Sequence, residues 1–419
     1  MRGLFGSIAE GLERKSVDVS ALTWSKLWGE DAAVKSGVSV TTDSAFRVTV
    51  VLICARVISE GLAQFPFKLY RELEAGGSEV AKDHSLHRLI HRRPNPWMTS
   101  FEFREALTLH AVMTGNGYAF KNMIRDEVKE LIPLVPNCTT VHQQPDSTLR
   151  YEYNTGDGKM RMFSADQILH IRGPSWNGYL GMNVVQLARE AIGLAIATEE
   201  THSRFHANAA QPGGVLSIKG ALDDKGRQRL KEQWLQFQTG MQNKYKTAVL
   251  DQDATWTPLT MSGVDAQHLE TRKHQIEEVC RAFRVFPQMA GFSDKTSTFA
   301  SAESFFIAHV QHCLGPWVER WEQAVTRDLI GDAKENASLF AKLNVTAMLR
   351  GTPKARAEYF KAALGSGGAP AWMTQDEVRA LEELNPMGGE AAALPKPSNV
   401  SGSAAAASDD DDEEDENDA

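Results

Sequence analysis

The chain has 419 residues, 42% of them hydrophobic, enough to bury a sizeable core in two or three ordinary domains. Its four cysteines, Cys54, Cys138, Cys280 and Cys313, stand far apart with no C-x-x-C pair, which argues for reduced thiols and against a disulfide framework or zinc site. The net charge of −9 sits in one place: Asp409 to Asp418 hold nine carboxylates, and the rest of the chain balances at 45 basic and 45 acidic residues, so bulk positive charge cannot grip nucleic acid.

Residues 1–40 carry Leu4, Phe5, Ile8 and Leu12 at helical spacing and Trp24 and Trp28 at i, i+4. They read as an arm that docks on something, or equally as a helix packing on its own body. The start "MRGLFGSIAEGLERK" lacks a signal-peptide core, Arg2 excludes N-myristoylation, and no apolar run approaches the roughly 18 residues of a membrane span. Apolar stripes predict a helix from Asp43 to about Leu62, then a strand in "FPFKLYRE" and a turn at Gly76-Gly77. In "RRPNPWMTSFEFREAL", Thr99 and Glu102 form a capping box, with Met98 and Phe103 at the staple positions, so a helix starts there and ends at "TGNGY". From Tyr118 to Ile171, short β-type runs alternate with turns and predict a helix-decorated, largely antiparallel sheet.

An Ala-rich helix is predicted from Asn183 to about Ala209, ended by "QPGG". A small unit follows: strand "VLSIKG", a helix capped by Asp223, and strands "TAVLDQ" and "TWTPLT". A second long helix covers Asp265 to Phe286, and a third runs from about Ala300 to Ile330 with a kink predicted at Gly315-Pro316. Thr352-Pro353 opens a helix that ends near Gly365, and Thr374 with Glu377 forms a second capping box. From Met387 the composition turns to Ala, Gly, Pro and Ser and then to pure acid, which cannot bury enough apolar surface to fold.

The loop "FSDKTSTFASAESF" echoes the end of a P-loop, but Met289 and Asp294 stand where the two glycines belong, and the aspartate would repel a phosphate. "HVQHC" offers His309, His312 and Cys313, fewer ligands than zinc usually takes. Glu277-Glu278 reads as a solvated helix face. There is no H-E-x-x-H, no G-x-S-x-G, and "GNGYAF" lacks the third glycine of a dinucleotide fingerprint. No catalytic residue, metal ligand or cofactor is therefore expected.

The segments "PNPWMTSFEF", "GNGYAF", "LIPLVPNCTTV", "ILHIRG", "GYLGMNVVQLAREAIGLA", "RFHANAAQPGGVL", "TWTPLTMSGVDAQHLETRKHQIEEVCRAFRVFPQMAGF" and "EVRALEELNP", in this order and spacing, resemble the portal, or head-to-tail connector, proteins of tailed double-stranded DNA bacteriophages, in their shorter siphophage-type branch. The chain departs from that pattern at "VFPQMAGF", where a second proline-type turn is expected. The resemblance implies an α+β portal-type fold. Its parts would be an N-terminal arm (1–40), an α/β wing (41–182), stem helices (183–212 and 264–286), a small α/β clip (213–263), a tunnel loop (287–299), a long kinked helix (300–335), a helical crown (336–386) and a disordered acidic tail (387–419).

In such a protein Ser293, Lys295, Thr296, Ser297 and Thr298 would face DNA in the channel, and Lys225, Arg227, Arg229 and Lys231 of the clip would dock partners. Hydroxyls with a single lysine suit a loop that must touch every passing phosphate and hold none. The resemblance further implies a ring, usually of twelve subunits, at one capsid vertex of the virion, built in the host cytoplasm. Its implied partners are double-stranded DNA, the major capsid or scaffolding protein, the large terminase subunit and a head-completion adaptor; no membrane is implied. The competing readings are a phage-encoded hydrolase or nuclease, and a host-interaction protein acting on membranes through its N-terminus.

Overall fold

The structure, a computed structural model, describes residues 34–395 apart from 75, 126, 208–213, 218–222, 230–231, 233–254, 259–263, 293–298, 332, 334–335, 346–352, 366–369 and 383. The chain divides into two units, one ending at Asn344 and the other beginning at Val345.

In the first unit Thr41 and Ser44 make a reciprocal capping box that starts a single turn, α1 (Thr42–Ala45). Helix α2 (Thr49–Ala63) begins afresh, because Val48 takes an extended backbone with φ −77° and ψ 107°. The one helix expected from Asp43 is thus two, and α2 is phased on its own stripe of Val51, Cys54, Ala55, Ile58 and Leu62, all buried. Strand β1 (Phe67–Glu72) pairs antiparallel with β2 (Ser78–Val80), and Gly76 and Gly77 turn the chain at φ +88° and +85°. After α3 (Ser85–His91), the expected box starts α4 (Ser100–Thr114): Glu102 Oε2 accepts from Thr99 N at 2.7 Å and Thr99 Oγ1 from Glu102 N at 3.3 Å. Gly115, left-handed at φ 84°, ends it.

Six strands occupy the stretch of short β-type runs: β3 (Asn116–Ile124), β4 (Glu127–Leu134), β5 (Thr139–Gln143), β6 (Leu149–Asn154), β7 (Met160–Ser164) and β8 (Ile168–Arg172). They make two antiparallel three-stranded sheets, ordered β4-β3-β8 and β5-β6-β7, where one sheet was expected. A 3-10 turn at Pro136–Cys138 carries the chain away from β4 before β5 can pair with it. Tyr118, Leu134, Tyr151 and Ile168 fill a shared core between the two sheets.

Helices α5 (Val184–Leu187) and α6 (Arg189–Ala207), the ribbon β9 (Gly214–Ser217) and β10 (Thr255–Pro258), and α7 (Val264–Phe283) follow. Next come α8 (Phe299–His309) and α9 (Gly315–Val325), joined by a π turn at Val310–Leu314. The interruption expected at Gly315-Pro316 takes this form: Gly315 N–H bonds back five residues to the Val310 carbonyl, and the helix re-registers just before the proline that offers no donor. Trp321 of α9, 1% exposed, meets the rings of Phe67 and Phe103 edge-on at 6.2 and 6.3 Å and donates Nε1–H to Thr108 Oγ1 at 3.0 Å. It ties α9 to α4 and β1.

The segment from 336, assigned by sequence to a helical crown, begins differently. Strand β11 (Leu339–Leu343) closes the first sheet in the order β11-β1-β2, with Phe67 opposite Leu343. The second unit holds α10 (Pro353–Ala363), with proline at its first position, and α11 (Gln375–Leu381), started by the expected Thr374–Glu377 box. The tail expected to be disordered from 387 has a structured beginning. Asp376 accepts the Met387 and Gly388 amides at 2.7 and 2.9 Å, and a 3-10 turn at Gly389–Ala392 buries Ala391. Residues 396–419, with the acidic run, and residues 1–33 lie outside the described residues. No helix among the described residues is long and apolar enough to cross a membrane.

Candidate channel and partner surfaces

Three helices make the frame. Gln275 of α7, 5% exposed, donates Nε2–H to Thr198 Oγ1 of α6 at 3.3 Å, and the Cys54 and Cys280 sulfurs of α2 and α7 touch at 3.8 Å. Contact with Cys280, together with burial, pushes the Cys54 thiol far above its ordinary range, and burial pushes Cys313 up to about 12. These thiols are packing groups.

The proposed channel residues Ser293, Lys295, Thr296, Ser297 and Thr298 lie outside the described residues, but both ends of their loop are placed. Beyond α7, Arg284 turns at φ 57°, Val285 N donates to the Cys280 carbonyl at 2.9 Å, and Phe286 meets the Phe305 ring of α8 at 5.9 Å. A 3-10 turn at Pro287–Ala290 follows, closed by left-handed Gly291, and Phe292 N donates back to the Pro287 carbonyl at 3.0 Å. One proline therefore makes the turn at "VFPQMAGF", where a second had been expected. The residues leading into the loop are thus held by a turn that buries Ala290, with Phe292 exposed at its edge.

Of the basic residues expected to dock partners, Lys225, Arg227 and Arg229 lie exposed on the helical segment 224–229, while Lys231 is outside the described residues. Asp223 caps this segment, accepting Gly226 N at 2.9 Å, and Arg227 stands 3.8 Å from Asp224. The ribbon β9–β10 pairs Gly214 with Pro258 and Ser217 with Thr255. His309 and Cys313 are buried separately, and no three or more His, Cys, Asp or Glu among the described residues could share a metal ion.

Sequence reasoning missed a buried polar hub that joins the strands to the end of α9. His170, 1% exposed, pairs Nε2 with Asn116 Oδ1 at 3.0 Å and Nδ1 with the Tyr151 hydroxyl at 3.1 Å. Its backbone N donates to Asp328 Oδ2 at 2.9 Å and its carbonyl accepts from Arg327 at 2.9 Å. Burial, with Arg172 and Arg327 nearby, holds the imidazole well below its ordinary range, hence neutral. The unfolded histidine takes a proton near pH 6.5, which the folded one refuses, so its stabilising contribution is complete above that pH and is lost on acidification. Burial lowers His87, His91, His110 and His309 in the same direction. The unfolding free energy is therefore expected to fall on acidification from about pH 7.5 to about 5.5, with His170 contributing a slope of up to about 1.4 kcal/mol per pH unit below about pH 6.5, and the urea midpoint should fall with it. His170→Gln should flatten that slope, and an unchanged slope would refute the assignment of a neutral histidine.

The family model for phage portal protein matches residues 49–383, and the chain belongs to that family. It is a component of the virion's portal vertex, the channel through which phage DNA is packaged and ejected. Among its relatives, the probable portal protein of Streptomyces phage phiC31 is 29% identical over 370 residues, covering 85% of this chain and 79% of that one. The portal protein of Enterobacteria phage HK97 is 28% identical over 361 residues, covering 85% and 83%. The fold is similar to a chain in the neck of a native gene transfer agent particle computed with C12 symmetry, with TM-score 0.55, 24% identity and coverage of 82% and 94%.

Proposed function

We propose that twelve copies of this chain close head-to-tail into a ring around double-stranded DNA, built in the host cytoplasm and carried into the virion. Residues 41–182 with β11 form the wing, α6 and α7 the stem, the β9–β10 unit the clip, 293–298 the tunnel loop and 345–386 the crown. The ring sits among major capsid or scaffolding proteins, receives the large terminase subunit during packaging and a head-completion adaptor afterwards, and uses neither metal nor nucleotide of its own. The family match across 49–383 carries this reading, and the twelvefold neck that shares the fold supports the subunit number. Native mass spectrometry and negative-stain images of the purified chain should give rings with a central hole and no added cofactor. Monomers and dimers alone, across salt and concentration, would sink the proposal.

The exposed Lys225, Arg227 and Arg229 support the clip as a partner surface. Reversing Lys225 and Arg229 to glutamate is expected to weaken terminase or adaptor binding at least tenfold while rings still form. Pull-down with the parent's yield from these rings would return the three residues to an ordinary solvated face.

A further inference from the structure

We propose that the N-terminal segment carrying Leu4, Phe5, Ile8 and Leu12 docks into the groove between α2, α6 and α7 of its own chain, beside the base of the loop at 293–298. The groove, of about 490 Å³, presents Ile53, Ala195, Thr198, Ile276, Val279 and Phe292. Its walls are largely aliphatic, and Phe292 remains 40% exposed at its mouth. An apolar stripe on a short helix is the complement that such a groove takes.

Where the described chain begins selects this occupant. Val34, 4% exposed, is seated on α6: a Cβ added at Gly193 would come 2.8 Å from its Cγ1. Lys35 N also donates to Glu190 Oε2, at 3.3 Å. The N-terminal chain therefore leaves from the very helix that supplies one wall of the groove. Five residues separate Gly193 from Thr198, about 8 Å along the helix. Residues 13–33 can span up to about 3.3 Å each, far more than this distance requires. Leu4, Phe5, Ile8 and Leu12 follow i, i+1, i+4, i+8, one stripe at helical period. The groove's lining is net positive, with exposed Arg272 and Lys273 against Glu199, and Glu10 and Glu13 of the segment can meet the two bases while Arg14 and Lys15 follow them in sequence. Docked there, the segment covers Phe292 and braces the stem where the loop departs. The inference concerns a single chain and stands whether or not rings form.

The test places the photoreactive p-benzoylphenylalanine at Phe5 of the full-length chain, with isotopically heavy and light chains mixed in equal amounts before assembly so that any ring contains both labels. Mass spectrometry is expected to find adducts on 48–53, 195–199, 272–279 or Phe292, heavy with heavy and light with light. Ile8→Asp together with Leu12→Asp should cut these adducts at least tenfold and raise amide hydrogen exchange at 195–199 and 272–279. Adducts confined to other segments would overturn the docking. Mixed heavy–light adducts would give the groove to a neighbouring copy's arm and overturn it equally. If adducts are absent and the double variant leaves exchange at the groove unchanged, nothing from residues 1–33 covers it and the proposal fails.

Discussion

Gly181→Ala is expected to leave little soluble folded protein. A Cβ at Gly181 would stand 1.8 Å from the Gly115 carbonyl oxygen and 2.9 Å from Gly173 N, both backbone atoms that cannot rotate aside. Gly115 is itself left-handed at φ +84°, and a Cβ there would meet the Met182 oxygen at 2.4 Å. Two sequence stretches, "TGNGY" and "GYLGMN", are thus pressed backbone to backbone. The seam is sealed by Gly173 N to the Gly115 carbonyl at 2.7 Å, Gly181 N to Asn116 Oδ1 at 2.8 Å and Met182 N to the Pro174 carbonyl at 2.7 Å. A methyl group in it opens all of these, and Asn116 also holds His170. The expected cost exceeds about 4 kcal/mol, the extreme end for single substitutions. Gly178→Ala is the control: it is also left-handed, at φ +81°, but has nothing within 4 Å of its added Cβ, so it should lose only about 1 kcal/mol. Thermal unfolding and soluble yield of the two variants side by side decide the matter, and equal behaviour would refute the close approach.

Local chemistry was legible in the sequence because it is written within a few residues. The boxes at Thr99–Glu102 and Thr374–Glu377, proline at the head of α10 and the six strand runs each depend on neighbours in the chain. Pairings across long separations were not legible. "LFAKL" alternates buried Leu339, Ala341 and Leu343 with more exposed residues, a period-2 signal. Surrounded by helical patterns, it was absorbed into a helical segment, and its partner β1 lies far away in sequence. Arg104 shows the same limit. It occupies a buried position of α4, donating to the Ala63 carbonyl at 2.7 Å and the Ile90 carbonyl at 3.2 Å, and burial lowers its guanidinium to about 10. A lone arginine on a helix carries no mark of the helix ends it will cap. The candidate surfaces divide likewise: Asp223 announced the helical segment 224–229 through its cap, whereas the hub around His170 joins strands to Arg327 and Asp328 and has no local motif.

On the proposed tunnel loop, Thr296→Lys is expected to slow DNA translocation several-fold, with the largest effect at low salt. The loop carries one base, Lys295, beside Asp294, in a chain whose charges cancel outside its acidic tail. A ring repeats that lysine once per subunit. Each phosphate a lysine neutralises releases counterions and steepens the salt dependence of binding, so a second lysine at the constriction doubles the number of such contacts. DNA held more tightly at every step must pay a larger cost to leave it. Because the Pro287–Ala290 turn and the Phe286–Phe305 contact hold the flanking chain independently of residue 296, the added charge should not disturb assembly. Lys295→Ala is the opposite change: rings and capsid incorporation should match the parent, while retention of packaged DNA weakens most at low salt. The measurement is packaging rate and retained genome length at low and high salt for both variants and the parent. If all three package and retain DNA alike under both conditions, residues 293–298 do not touch DNA and the loop must be given another task.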